Sequence, residues 1–317
     1  MSSGPFTFPS PIGGASFAID FAPSILFAVL YGLLAPIGIY RLINPTSRTF
    51  LIFGSVAFTI EHVVIMALRA SQAHNEHQRT SHSLTTYMQT SWAIGHISMA
   101  LDLANLLRCL LVAATQPASA DSNPEGIAAD THPMTERSSN RVAVSEDRGE
   151  ERYWYRTIVG LTSLFGLAPL ITGIIAASQY VDAETDVSKA NRVHALRYVS
   201  TALILVFLLF VQGIATYSII YTRNIIKSSA FIIISLATLL NVISIYRLVV
   251  MRFQTTSITS LEPGSLNSIS SKATFYVFQV APEWIAATIL LGVNVKERFK
   301  TGTWGDKLYE APKKSKN

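Results

Sequence analysis

ATFYVFQVAPEWIAATILLGVNV, residues 273–295, carries one charged side chain, Glu283, and places it near the middle. An α-helix that crosses the hydrocarbon core of a bilayer needs about 20 mostly apolar residues. The stretch reaches that length, so it reads as a membrane span. Pro282 interrupts it. Proline has no backbone N–H and its ring crowds the preceding turn, which frees a carbonyl near residue 278 and predicts a kink there. Gln279 and Glu283 are four residues apart and share one helix face. A carboxylate at such depth costs at least about 2.5 kcal/mol on insertion scales. A chain that keeps one there either pairs it or uses it.

Six more apolar runs precede this one, at about 22–43, 50–69, 86–114, 155–180, 195–221 and 228–252. The predicted fold is therefore all-α, a single seven-helix membrane domain over 22–295. A short N-terminus (1–21) precedes it and a basic tail (296–317) follows. Only 14% of the chain is charged, against roughly 25% in soluble domains, and the deficit lies in the seven runs. Residues 116–152, rich in Ser, Asp, Glu, Asn and Arg, read as a disordered loop. At the ends of the runs and between them, fifteen Lys and Arg fall on the side of that loop and the tail, and seven on the other. The positive-inside rule then predicts the N-terminus outside and the C-terminus, loop and tail in the cytoplasm. Residues 1–19 contain no Lys or Arg, so the first run reads as a span and not as a signal peptide. The tail ends in APKKSKN, whose lysines suit contact with anionic lipid. The expected location is a multi-pass protein of the endoplasmic reticulum rather than of the plasma membrane. Cys109 is the single cysteine, which excludes an intrachain disulfide and a zinc site built on several thiolates. The excess of basic residues follows the topology, and no basic patch with interleaved aromatics points to nucleic acid.

The polar residues inside the runs carry what the sequence says of function. Glu61, in FTIEHVVIMALRA, sits just past the middle of helix 2, Asp102 lies in helix 3 and Glu283 in helix 7. Glu61 and Glu283 are placed to share a depth. If they meet, repulsion at low dielectric keeps one of them protonated. A carboxylic acid held neutral in an apolar pocket is a proton donor. The alternative is that each acid bonds to a neighbouring helix and only fixes packing. The candidate catalytic residues are thus Glu283, Glu61 and Asp102. Trp284, Trp92 and Tyr246 offer aromatic faces, each worth roughly 0.5–2 kcal/mol to a cation. Gln279 and Arg247 complete the candidate substrate-binding set, Arg247 either snorkelling or finding an inward partner. Arg69 reads as snorkelling from the end of helix 2. Tyr276, Tyr153, Trp154 and Tyr155 read as an interfacial aromatic belt. Asn241, Gln212, His96 and Asn105 suit interhelical hydrogen bonds. His74, Glu76, His77 and His82 crowd one loop, but their spacing matches no zinc motif. Neither a metal nor a cofactor is expected.

FAPSILFAVLYGLL, GSVAFTIEHVVIMALRA, the IYR late in helix 6 and FYVFQVAP resemble the fungal lipid-translocating exporters associated with aminocholesterol and sphingoid-base resistance. Helix 3, SWAIGHISMALDLANLLRCLL, lacks the proline and small-residue pattern of those exporters, and helix 7 has Pro-Glu where they have Pro-Met. The segment ITGIIAASQYVDAETDVSKANRVHALRYVSTALIL and the run PEWIAATILLG are more similar to the fungal membrane-bound terpene cyclases of ascochlorin and macrophorin type. That resemblance spans most of the chain as topology and scattered short stretches, and carries no catalytic residue across. It implies a lipophilic, prenylated substrate folded inside the bundle, with cyclisation started by protonating an epoxide or olefin. An exporter or flippase for a cationic amphiphile, and a seven-helix receptor, are the competing expectations. The oligomeric state is left open.

Overall fold

The computed structural model describes residues 6–116, 148–222 and 224–306. Seven helices in it are long and apolar enough to cross a bilayer: α1 (Ala18–Ile43), α2 (Phe50–His74), α3 (His82–Ala114), α4 (Gly149–Ser178), α5 (Val187–Tyr221), α6 (Lys227–Val250) and α7 (Ile269–Gly292). Sheet among the described residues is limited to one antiparallel pair, β1 (Phe8–Pro9) and β2 (Gln254–Thr255). The chain is a seven-helix bundle of the multi-pass membrane type.

The helix ends extend beyond the expected runs, and the reasons are local. α4 begins at Gly149 rather than near 155, with Glu150 and Glu151 in its first turn. Carboxylates there meet the unpaired N–H groups of the helix start, and Arg148 pairs with Glu151 at 2.9 Å. Residues 149–152, expected to close a disordered loop, are thus helical. The remainder of that loop from 117 to 147, and the tail beyond 306, lie outside the described residues. α5 starts at Val187 because Asp186 caps it, its side chain accepting from the N–H groups of Ser188 and Lys189. In α7 the backbone widens into a π-helical turn over Tyr276–Val280, immediately before Pro282. That is how the helix absorbs the proline, and it sets the rotation of the face bearing Gln279 and Glu283.

α3 is the central helix. Within its apolar window 72% of residues are buried inside the protein, against 22% for the peripheral α4. It packs on α2, α4, α5 and α6, while α1 and α7 close against α2. Lipid removes any hydrophobic drive between helices, so close approach depends on small residues and polar contacts. Gly95 on α3 shows this: a β-carbon there would stand 2.7 Å from the Phe58 ring of α2.

Both ends of the bundle are closed. On the N-terminal face, residues 8–16 are buried. β1 pairs with β2, Ser10 donates its N–H to the Phe253 carbonyl at 3.1 Å, and Tyr180 donates its hydroxyl to the Pro9 carbonyl at 2.8 Å. Gln89 brackets Ile12, accepting from its N–H and donating to its carbonyl. Gly13 and Gly14 both have positive φ, a backbone that residues with a Cβ rarely adopt. It turns the carbonyls of Gly13 and Gly14 towards Arg69, and that of Gly13 also towards Lys272. On the opposite face the chain after α7 folds back. Phe299 is fully buried, Arg156 holds Asp306 with two hydrogen bonds, and Trp304 stacks on Phe50 at 4.3 Å.

Candidate functional site

The centre of the bundle holds a carboxylate against an imidazole. Glu283 Oε2 of α7 lies 3.3 Å from His62 Nε2 of α2, and both side chains are 1% exposed. His62 Nδ1 is 3.0 Å from the Phe58 carbonyl. A carbonyl only accepts, so Nδ1 carries a proton and Nε2 is the nitrogen turned to the acid. A bare Nε2 lone pair and an ionised carboxylate would repel at this distance. A proton shared between them would join the two groups into one acid–base pair.

The surroundings are aromatic. Phe58 lies over the imidazole at 3.8 Å, with Tyr31 at 5.0 Å and Trp92 edge-on at 5.1 Å. Phe275 continues the stack from Trp92 at 5.2 Å. Gln279 donates to Glu283 Oε1 at 3.4 Å, the helix-face pairing expected from their spacing. Several polar atoms here are buried without an aligned hydrogen bond: Glu283 Oε2, His62 Nε2, Gln279 Oε1, the Tyr31 hydroxyl and the indole nitrogen of Trp92. Buried polar groups are normally satisfied. A cluster of unsatisfied ones marks a place where a bound molecule, or water, completes the set.

The other candidate residues lie elsewhere. Glu61 does not meet Glu283. It is half-buried on the neighbouring face of α2 and accepts from Ser91 of α3 at 2.5 Å. A helix turns about 100° per residue, so Glu61 points away when His62 points in. Asp102 is buried further along, accepting from the N–H of Ser55 at 2.7 Å and its hydroxyl at 2.6 Å. Ser55 and His62 are seven residues apart, which sets Asp102 about 10 Å in depth from the Glu283 pair. Tyr246 stacks on Phe278 and lines a groove between α6 and α7. Arg247 has inward partners, the Trp92 carbonyl at 2.5 Å and His96 Nδ1 at 3.0 Å. Trp92 and Gln279 are thus gathered round Glu283, while Glu61, Asp102 and Tyr246 are not.

Two expectations are overturned by burial. Arg69 does not snorkel: it is 2% exposed and pairs with Asp20 at 2.9 Å. Tyr276 is not a belt residue: its hydroxyl lies among Ser24, Arg69 and Asp20. Lys272 joins the same group at 3.0 Å from Asp20. Tyr153 and Trp154, by contrast, are exposed on the bundle surface. Among the described residues, no group of three or more His, Cys, Asp or Glu is placed to hold a metal ion.

Comparison with protein-family models, with curated proteins and with solved structures finds no match to this chain. The fold and the geometry of its interior are what bear on function.

Proposed function

We propose that this protein is an integral membrane cyclase that acts on a lipophilic, prenylated substrate, with Glu283 as its intramembrane acid. The reading rests on one observation: a buried Glu283–His62 pair, 3.3 Å apart and enclosed by aromatic rings, whose facing atoms Glu283 Oε2 and His62 Nε2 have no aligned hydrogen bond. In the reaction Glu283 gives its proton to an epoxide oxygen or olefin carbon. The C–O or π bond breaks, a carbocation forms, and a second olefin of the substrate closes the ring. The final cation loses a proton, which returns to the Glu283–His62 pair, so the step is an isomerisation with no cofactor. The faces of Trp92, Phe58 and Tyr31 shield the positive charge. A groove of about 490 Å³ between α6 and α7, lined by Tyr246 and Phe278, falls in the size range of small-molecule sites and is the entry from the bilayer. The N-terminus faces outside, the tail faces the cytoplasm, and the membrane is that of the endoplasmic reticulum.

The test is product analysis in microsomes containing wild type or Glu283→Gln, given a farnesylated phenol epoxide. Cyclised product from wild type alone is the expected result. Equal product from Glu283→Gln refutes the role of the acid. A second reading, a proton-coupled exporter of a cationic amphiphile, draws on the three buried polar contacts spaced along α2, at Ser55, His62 and Arg69. No product from folded wild type, together with sphingoid-base movement in vesicles driven by a pH gradient, selects that reading.

A further inference from the structure

On the far side of Trp92 from the acid pair lies a second interior site, with a different chemistry. Arg197 of α5 and Arg247 of α6 line one small cavity with Ile12, Gln89, Tyr180 and Ser200. The two arginine residues are 8% and 3% exposed. Arginine stays charged in proteins, so two positive charges share this space, close enough to repel one another. Among the described residues neither forms an ion pair with a carboxylate. Arg197 Nη1 donates to the Ser10 carbonyl at 3.0 Å, and Arg247 Nη1 to the Trp92 carbonyl and His96 Nδ1. These are neutral acceptors.

The other polar groups in the wall are committed to the protein. Ser200 donates its hydroxyl to the Pro169 carbonyl, Tyr180 to the Pro9 carbonyl, and Gln89 brackets Ile12. What remains is Arg197 Nη2 and Arg247 Nε, both buried and both without an acceptor. The vacant donors of this cavity are cationic, and the free space is about that of one water molecule or one chloride ion. A water molecule would satisfy the N–H groups and leave two like charges with no carboxylate in ion-pair contact, the Glu283 carboxyl group acting on Arg247 only from a distance. Buried charges are normally paired.

We propose that Arg197 and Arg247 bind a small monovalent anion of about chloride size inside the bundle. The site is distinct in place from the Glu283–His62 pair, although Glu283 acts electrostatically on Arg247 from beyond ion-pair distance. It also fixes the N-terminal segment, since Arg197 reaches Ser10 and the anion would join α5 to α6 beneath it.

The full chain purified in a neutral detergent provides the test, read as melting temperature. Sodium chloride is titrated against sodium gluconate at constant ionic strength, and laurate against dodecanol. A ligand that binds only the folded state raises the melting temperature in a saturable way. The expected rise is about 5 °C for chloride, lost in Arg197→Gln and in Arg247→Gln, while laurate gives no more than dodecanol. A rise with laurate and none with chloride overturns the proposal. Should either variant fail to fold, Gly173→Ala narrows the same cavity, placing a methyl 3.0 Å from Ser200 Oγ with both charges kept, and is expected to weaken the response. Identical melting of wild type in all four conditions overturns the proposal. So does a linear response, the mark of a bulk salt effect, or a response that survives in both arginine variants.

Discussion

Asp20→Asn is the substitution that tests the closed N-terminal face most directly. Asp20 is fully buried. Its carboxylate pairs with Arg69 at 2.9 Å and Lys272 at 3.0 Å, and accepts from the Tyr276 hydroxyl and the Phe17 N–H at 3.0 Å each. Asparagine keeps the shape and removes the charge, leaving two buried cations without their counterion. Removing one partner of a buried pair costs about 3–5 kcal/mol. At about 2–4 °C per kcal/mol for a large domain, the melting temperature in detergent falls by about 10 °C. Adding Lys272→Met removes one stranded charge and recovers part of the loss. Site-specific labelling separates release of the segment from general loosening. Ser16 is 2% exposed, so in a Ser16→Cys background a membrane-impermeant maleimide labels the Asp20→Asn protein and spares its parent. Melting of Asp20→Asn within about 2 °C of wild type, with no gain in labelling, would refute the claim that this ion cluster latches residues 8–16.

Two further predictions concern single positions. Gly95→Ala forces a methyl to within 2.7 Å of Phe58, and Phe58 lies over His62. We predict destabilisation of about 1–3 kcal/mol from overpacking and a fall in turnover larger than that in Ala93→Gly, measured by melting and product formation; an unchanged melting temperature would sink it. Glu184, outside the spans, has Oε1 buried without a hydrogen-bond partner, and burial raises its pKa while His82 opposes the rise. The unfolded carboxyl ionises at its usual pH and the folded one higher. In between, the folded state holds the extra proton, so this group's contribution to stability falls as pH rises. Glu184→Gln is therefore expected to melt above wild type at pH 8, with the gap closing towards pH 4; a gap independent of pH contradicts it.

The spans were legible because their signal is length and apolarity, and burial changes neither. The Gln279–Glu283 pairing was legible because two residues four apart on one helix must share a face. The ion cluster was not. Asp20 and Lys272 stand just outside the expected runs 22–43 and 273–295, since a hydropathy reading trims a helix at its charged ends. In this bundle those ends are covered by residues 8–16, so the trimmed charges are interior ones. His62 was missed for a different reason. Charge drew attention to Glu61, but the rotation of α2 decides which of the two neighbours faces inward. The buried Ser55, Phe58, Thr59, Ile65, Met66 and Arg69 define a face that includes position 62 and excludes 61. That spacing was available in the sequence.

The same spacing bears on which of the acids is proposed to be reactive. Ser55, His62 and Arg69 lie seven residues apart on α2, about 10 Å from one to the next. Each meets an acid from a different helix: Asp102 of α3, Glu283 of α7 and Asp20 of α1. Sliding α2 by one turn, about 5.4 Å, would break all three contacts together. In a lipid environment, where apolar surfaces do not favour one register over another, such contacts fix the depth of α2. A role in register accounts for all three acids equally, yet their environments differ. Asp20 has four donors around it, and Asp102 Oδ2 accepts two well-aligned hydrogen bonds. Glu283 Oε2 has none, and the Tyr31 hydroxyl, Gln279 Oε1 and His62 Nε2 nearby are equally unmet. An acid kept only for register has every reason to be saturated, because each unmet buried group costs about 1–3 kcal/mol. The middle acid carries that cost and the outer two do not, which is the ground for proposing Glu283, rather than Asp20 or Asp102, as the acid.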